Sequence, residues 1–135
     1  MKTQKGIWID KKKAVVITLK NGQEERAVYD SDVVTRERIE GESKAFGRFG
    51  DQYLNEERKK EAREELQIKD FLDEMTEVLR EADEVVIFGP AEMKIELKKQ
   101  MEEDHRLSLT IQGVETADSM TENQIAAWVR DYFNN

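Results

Sequence analysis

Two segments in the C-terminal half of the chain carry polar side chains that could bind an anionic ligand. Gly89-Pro90 follows an apolar run, and residues 113–120 follow a second strand-like segment. If both strands are parallel neighbours, the two segments emerge at the same rim of a sheet, where open α/β proteins bind ligands. Two helix N-termini would then offer free N–H groups to a phosphate or carboxylate. The candidate ligand-binding residues are Gly89, Pro90, Lys94, Asp118, Thr121, Glu122 and Asn123.

The same polar residues also have a purely structural interpretation. Ser119 with Glu122, or Thr121 with Gln124, has the spacing of a capping box at a helix start. Asp118 suits a turn, because aspartate commonly hydrogen-bonds the backbone of its own turn. Both interpretations stay open from the residues alone.

The composition excludes several kinds of catalytic centre. The chain has no cysteine and one histidine, His105, which leaves no thiol chemistry and little room for a histidine-based metal site or triad. We expect no cofactor, and we expect His105 to be an exposed loop residue. The apolar runs are too short to span a membrane and the N-terminus does not resemble a signal peptide, so we expect a cytoplasmic protein.

The charge of the chain bears on its partners. A net charge of −8 and a pI near 4.9 argue against strong binding to nucleic acid, which requires Lys and Arg to neutralise phosphates. Residues 1–20 differ, because six lysines against Asp10 alone give them a charge of +5 and leave −13 for the rest. Such a lysine-rich hairpin is either a small basic patch or a device against edge-to-edge sheet pairing.

The firmest secondary-structure signal is an apolar run followed by an amphipathic helix. Residues 85–88 are apolar without alternation, which predicts a strand covered on both faces. Pro90 suits the first position of a helix. Met93, Leu97 and Met101 recur at i, i+4 and i+8, which predicts a helix lying on the sheet.

The N-terminal half is predicted to hold three strands and a long helix. Residues 7–9, 14–19 and 27–29 are strand-like, with Asn21-Gly22 as a two-residue hairpin turn, and residues 33–39 extend the third strand or start a short extra piece. Residues 53–82 are helix-like. The second half of this helix is apolar on one face, whereas its first half is almost entirely charged and could project outward. Its predicted core positions are Phe71, Leu72, Met75, Val78, Leu79 and Ala82.

The remaining segments complete an α/β pattern in one domain covering residues 1–135. Residues 107–112 alternate like a strand at a sheet edge, and a closing helix buries Ile125, Trp128, Val129, Tyr132 and Phe133. Residues 40–52 hold three of the seven glycines and predict a flexible loop. The order β-β-β-α-β-α-β-α predicts a three-layer α/β/α domain with a mixed five-stranded sheet.

This order resembles the ribonuclease H-like architecture of the translational machinery components, which include the middle domain of eukaryotic and archaeal release factors and of pelota. GIWIDKKKAVVITL (6–19) resembles the opening hairpin, and DEVVIFGPAEMKIEL (83–97) resembles the strand, glycine turn and helix. With VETADSMTENQIAAWVRDYF (114–133), the chain is also similar to small uncharacterised bacterial proteins of translational-machinery type. The resemblance implies a ribonuclease H-like fold and a ribosome-associated role.

The resemblance also implies two candidate catalytic groups. Release factors of this type carry Gly-Gly-Gln before the long helix, where the glutamine helps water attack the peptidyl-tRNA ester, and this place holds Gly50-Asp51-Gln52 here. Asp51 departs from the pattern, because its negative charge opposes stabilisation of an oxyanion. Ribonuclease H-like nucleases bind metal ions with carboxylates, one of them on the first strand, which Asp10 ends here. A turn role for Asp10 is favoured, because aspartate commonly hydrogen-bonds the backbone of its own turn and residues 85–88 offer it no acidic partner.

Three functions remain open at this point. The favoured one is a non-enzymatic, translation-associated protein that binds the ribosome or a translation factor through the glycine loop, the charged helix and the lysine hairpin. The acidic balance favours a protein partner or a basic ribosomal surface over direct contact with RNA. The alternatives are an enzyme, using Gln52 on an ester or Asp10 with metal ions, and a homo-oligomeric small-ligand module whose strand at 107–112 pairs with a second copy.

Overall fold

Three strands come first in the part of the chain that the structure describes, and helices and strands alternate after them. The computed structural model describes residues 2–31 and 50–134, with the backbone alone at residues 50–57. None of the described helices combines the length and apolar character needed to cross a bilayer. The elements are β1 (Thr3–Ile9), β2 (Lys13–Lys20), β3 (Gln23–Asp30), α1 (Gly50–Leu79), β4 (Glu84–Gly89), α2 (Met93–Glu103), β5 (Thr110–Thr116) and α3 (Glu122–Asn134).

The five strands form one mixed sheet in the order β3-β2-β1-β4-β5. β1 and β2 pair antiparallel, as do β2 and β3, whereas β4 runs parallel to both of its neighbours, β1 and β5. The predicted α/β class and mixed five-stranded sheet are therefore confirmed, and β4 is an interior strand as its unbroken apolar run requires.

Two tight turns fold the first three strands into a meander. Asn21 and Gly22 both have positive φ angles, 55° and 78°, which is the geometry of a type I′ hairpin turn. In the turn between β1 and β2, Asp10 Oδ1 accepts the backbone N–H groups of Lys12 and Lys13, each at 2.8 Å. Asp10 is therefore a turn former in this structure.

Helices cover both faces of the sheet, as predicted. Ile7 and Ile9 of β1 face the layer formed by α1 and α2. Trp8 lies between them in sequence and faces α3 on the opposite side. Because side chains alternate along a strand, the two cores share one sheet and make three layers.

The prediction that Pro90 opens the second helix is wrong. β4 continues to Gly89, which pairs with Thr116, and α2 begins at Met93 with Glu92 as its N-cap residue. The intervening residues form bends, because the chain needs a few residues to pass from the sheet to the helical layer. The stripe predicted on the helix itself is confirmed by the burial of Met93, Leu97 and Met101.

The last strand lies further along the chain than residues 107–112. β5 runs from Thr110 to Thr116, whereas Leu107 and Leu109 precede it and pack against the core from outside the ladder. Gly113 lies inside β5. The absence of a side chain there leaves room for the hydroxyl of Tyr132 on α3, which a Cβ atom would overlap.

The long helix also differs from its predicted bounds. α1 begins at Gly50 and ends at Leu79, so residues 50–52 are helical rather than part of a loop. The rest of the predicted loop, residues 40–49, and the predicted extra piece at residues 33–39 lie outside the described residues.

A substitution at Gly89 can test how tightly the end of β4 packs against β1. A Cβ atom at Gly89 would overlap the backbone carbonyl of Ile9, which cannot rotate away, so Gly89→Ala should lower the free energy of unfolding by about 1–3 kcal/mol. Gly113→Ala is the matched control, because its obstacle is the end of a half-buried tyrosine side chain that can shift. Urea unfolding measures both, and equal losses in the two variants would contradict this account.

Candidate functional site

The carboxyl ends of β4 and β5 lie side by side and form the predicted rim. Backbone groups at this rim are already hydrogen-bonded within the protein. The N–H of Ala117 donates to the carbonyl of Gly89 at 2.9 Å. The buried indole of Trp8 donates to the carbonyl of Asp118 at 3.2 Å. These two bonds bring Gly89 and Asp118 close together, as predicted, and fasten the segment after β5 onto the ends of β4 and β1.

Lys94 is a buried side chain rather than a free cation at this rim. It is 7% exposed, and its Nζ donates to the carbonyl of Ala91 in the bend that follows β4. Because a buried ammonium group needs hydrogen-bond partners, this contact gives Lys94 a structural role that requires no ligand.

Thr121 and Gln124 form the capping box of α3. The N–H of Thr121 donates to Gln124 Oε1 at 2.9 Å, and the N–H of Gln124 donates to Thr121 Oγ1 at 3.2 Å. The neighbouring Asn123 accepts a hydrogen bond from Arg26 of β3 at 2.6 Å, and Glu122 is exposed.

The predicted rim residues are therefore divided between the two sides of the sheet. Lys94 lies on α2 in one helical layer, whereas residues 121–123 begin α3 in the other layer. The structure thus places the two helix N-termini on opposite faces of the sheet. The ligand-binding role of these residues stays a prediction.

A second surface is formed by the first part of α1, residues 50–67, which we call the arm. The residues of α1 that pack on the sheet begin at Ile68 and continue to Leu79. Lys11 Nζ lies 3.5 Å from Glu64 Oε1, which puts the C-terminal part of the arm beside the β1–β2 turn. At 1.5 Å of rise per residue, Gly50 is about 27 Å along the helix from Ile68. The arm therefore extends past the rim of the sheet.

The described side chains of the arm are mostly exposed and charged, as predicted. Between residues 58 and 67, only Lys60, Glu64 and Gln67 are half-buried, and the rest are exposed. Leu66 is 59% exposed, which makes it one of three large hydrophobic residues exposed among the described side chains. This part of α1 contributes little to the core, so packing does not account for its length.

Gly50-Asp51-Gln52 forms the beginning of the arm. These residues have helical backbone and stand at the end of α1 furthest from the sheet. Their catalytic role stays a prediction.

The described residues give no support to a metal centre. Asp10, the candidate ligand, uses Oδ1 to hold the β1–β2 turn. No group of three or more His, Asp or Glu residues suited to a metal ion occurs within residues 2–31 and 58–134. His105 is exposed in the connection between α2 and β5, as predicted.

Sequence reasoning missed a charged cluster that joins β3 to α3. Glu24 accepts hydrogen bonds from Arg130 and, at 3.0 Å, from Arg26 Nε. These bonds lower the pKa of Glu24, with Arg130 the larger cause. The cluster borders an open cleft of about 520 Å³ that Lys2 and Lys20 also line. Arg130 is more than a hundred residues from Glu24, so no local pattern could have indicated the contact.

Comparison with known proteins finds solved structures that are similar to this chain at low sequence identity. No family model and no curated protein matches the chain. It is similar to the archaeal translation termination factor aRF1, with a TM-score of 0.47 and 16% identity over 98% of this chain and 39% of that one. It is also similar to Archaeoglobus fulgidus Pelota, with a TM-score of 0.47 and 10% identity over 98% of this chain and 37% of that one. The chain thus spans less than two-fifths of either protein.

The capping box gives a test of the α3 N-terminus. Thr121→Ala removes the hydroxyl that accepts the Gln124 N–H, and loss of an N-cap side chain costs about 1 kcal/mol. Ser119→Ala is the control, because the alternative box with Glu122 is not the one observed. Thermal unfolding of both variants should show a lower melting temperature for Thr121→Ala alone. A larger loss in Ser119→Ala would show that the assigned cap is incorrect.

Proposed function

We propose that this protein is a non-enzymatic, translation-associated module that binds the ribosome or a translation factor. The observation that carries the proposal is the arm of α1, which extends a charged helical surface beyond the sheet. The three segments 6–19, 83–97 and 114–133, which resemble translational machinery components, support the same reading. The fold places the first two in β1–β2 and in β4–α2, and the third across β5 and α3.

The arm is suited to binding because the core does not need it. A helix that buries no apolar face gains little from tertiary packing and relies on charged pairs along its own surface. Such a segment can present a solvent-exposed helical surface to a partner. The β1–β2 turn adds Lys11 and Lys12, both exposed, beside the base of the arm.

The charge distribution indicates the kind of surface the arm would meet. Residues 58–65 carry four basic and three acidic side chains, so the arm is mixed rather than uniformly basic. The whole chain carries −8, which opposes close approach to bare RNA. A basic protein surface on the ribosome, or on a factor bound to it, fits this balance better. A role of this kind would place the protein in the cytoplasm.

Ribosome binding is the direct test. The chain should co-sediment with ribosomes in moderate salt, and Glu61→Gln/Glu65→Gln in the arm should weaken binding about tenfold, since this corresponds to the loss of about 1.4 kcal/mol. Glu102→Gln/Glu103→Gln on α2 is the matched control, because it removes the same charge away from the arm and should bind normally. A lack of co-sedimentation at low salt, or equal losses in both variants, would count against the proposal.

Hydrolysis of the peptidyl-tRNA ester is the second candidate, because Gly50-Asp51-Gln52 stands at the far end of the arm. We expect no release of peptide from ribosomes programmed with peptidyl-tRNA, since Asp51 places a negative charge beside the developing oxyanion. The measurement is release of labelled peptide by the chain and by Gln52→Ala. Release by the natural chain that is lost in Gln52→Ala would establish the enzyme and overturn the non-enzymatic reading.

A further inference from the structure

β3 leaves one edge of the sheet unpaired within the described part of the chain. It is the terminal strand of the order β3-β2-β1-β4-β5. The type I′ turn makes Lys20 and Gln23 a hydrogen-bonded pair, and such pairs alternate along an antiparallel ladder. The N–H of Ser31 fits the same alternation, because it donates to the carbonyl oxygen of Lys12 at 2.9 Å. Odd-numbered residues of β3 therefore bond β2, and even-numbered ones turn their N–H and C=O groups outward.

Val28 is one of the even-numbered β3 residues whose N–H and C=O groups face outward. Its side chain points to the α3 side of the sheet, opposite Tyr29, which packs on the core beneath α1 and α2. Val28 is 46% exposed, so α3 does not cover it. Arg26 and Asp30 flank it on the same face and are both exposed.

We infer that β3 is a pairing surface for a second copy of this chain. The two β3 strands run antiparallel about a two-fold axis perpendicular to the sheet, with Val28 opposite Val28 of the second copy. This register also sets Arg26 opposite Asp30 of the second copy, and the symmetry repeats the pair on the other side. The result is one continuous sheet of ten strands.

Charge favours this register over those shifted toward the β2–β3 turn. Shifting one strand by two residues along the other brings Glu24 opposite Asp30 of the second copy. Shifting it by four residues brings Arg26 opposite Arg26 of the second copy. Like charges directly opposite each other destabilise a strand pair, whereas opposite charges and paired β-branched residues stabilise it. Arg26 already contacts Glu24 and Asn123, and its guanidinium has enough donors to bond a carboxylate of the second copy as well.

The other open edge is less suited to self-pairing. β5 carries one charged residue, Glu115, so two copies of it can form no pair of opposite charges. Its ladder with β4 also shifts register between Val85 and Val86. The self-pairing surface predicted at residues 107–112 is thus better placed at β3.

The association should be weak and concentration-dependent, because only residues 26–30 pair and interfaces of small area are transient. Sedimentation equilibrium of the full chain, from about 10 μM to about 1 mM, should show the mass rising from 15.8 kDa toward twice that value. Hydrogen exchange at high concentration should slow at the Val28 and Asp30 amides, which face outward, and leave the Tyr29 amide unchanged.

Substitutions at β3 separate this interface from any other. Val28→Pro removes an outward N–H that β2 does not use, so the monomer should keep its fold and the dimer should be lost. Asp30→Arg should weaken association at least tenfold, and Arg26→Asp/Asp30→Arg should restore it by exchanging the charges. Glu115→Lys on β5 is the control and should dimerise normally.

Three outcomes overturn the inference. A constant mass of 15.8 kDa across the whole range excludes self-association. A dimer that survives Val28→Pro but dissociates in Glu115→Lys uses the opposite edge. A dimer weakened by Asp30→Arg and not restored by the double exchange lacks the proposed register. Circular dichroism of each variant verifies that the monomer is folded, so loss of association cannot be confused with unfolding.

Discussion

Burial of β4 on both faces is the constraint on which the rest of the structure depends. Val85 and Ile87 pack beneath α1 and α2, and Phe88 packs on the other side, where its ring stacks on Trp128 with centroids 3.9 Å apart. A strand without a polar face cannot border water, so it needs a helical layer on each side and a neighbouring strand at each edge. The three layers and the central position of β4 follow from this requirement.

The same constraint explains why α1 is longer than the core requires. Covering β4 and β1 takes only the part of α1 from Ile68 to Leu79. The remaining residues of the helix are mostly charged and mostly exposed where their side chains are described, so the packing of the core does not fix their number. This extra length adds little to stability, which is why the proposed binding surface is placed there.

The sequence predicted elements where the apolar period was unambiguous and misplaced them where it was not. Leu107 and Leu109 alternate with polar residues as a strand does, yet they pack on the core from a connection, so alternation alone put β5 too early. The sequence places Gly113 after the strand, because the contact with Tyr132 that favours glycine there depends on α3, far away in sequence. The sequence correctly predicts that β4 and β5 end side by side, but incorrectly that the N-termini of α2 and α3 meet there. Lys94 and Thr121 are separated because α2 and α3 cover opposite faces of the sheet.

The directions of the strands link the arm to the open edge of β3. α1 runs antiparallel to β4 and extends past the carboxyl end of β1. A two-fold axis perpendicular to the sheet reverses the direction of every strand, so two copies joined at β3 would extend their arms from opposite ends of the continuous sheet. Both arms would nevertheless lie in the same layer, because this rotation keeps each face of the sheet on its own side. A dimer would therefore present both arms to one surface that faces the α1–α2 layer, or hold separate partners beyond the two ends of the sheet.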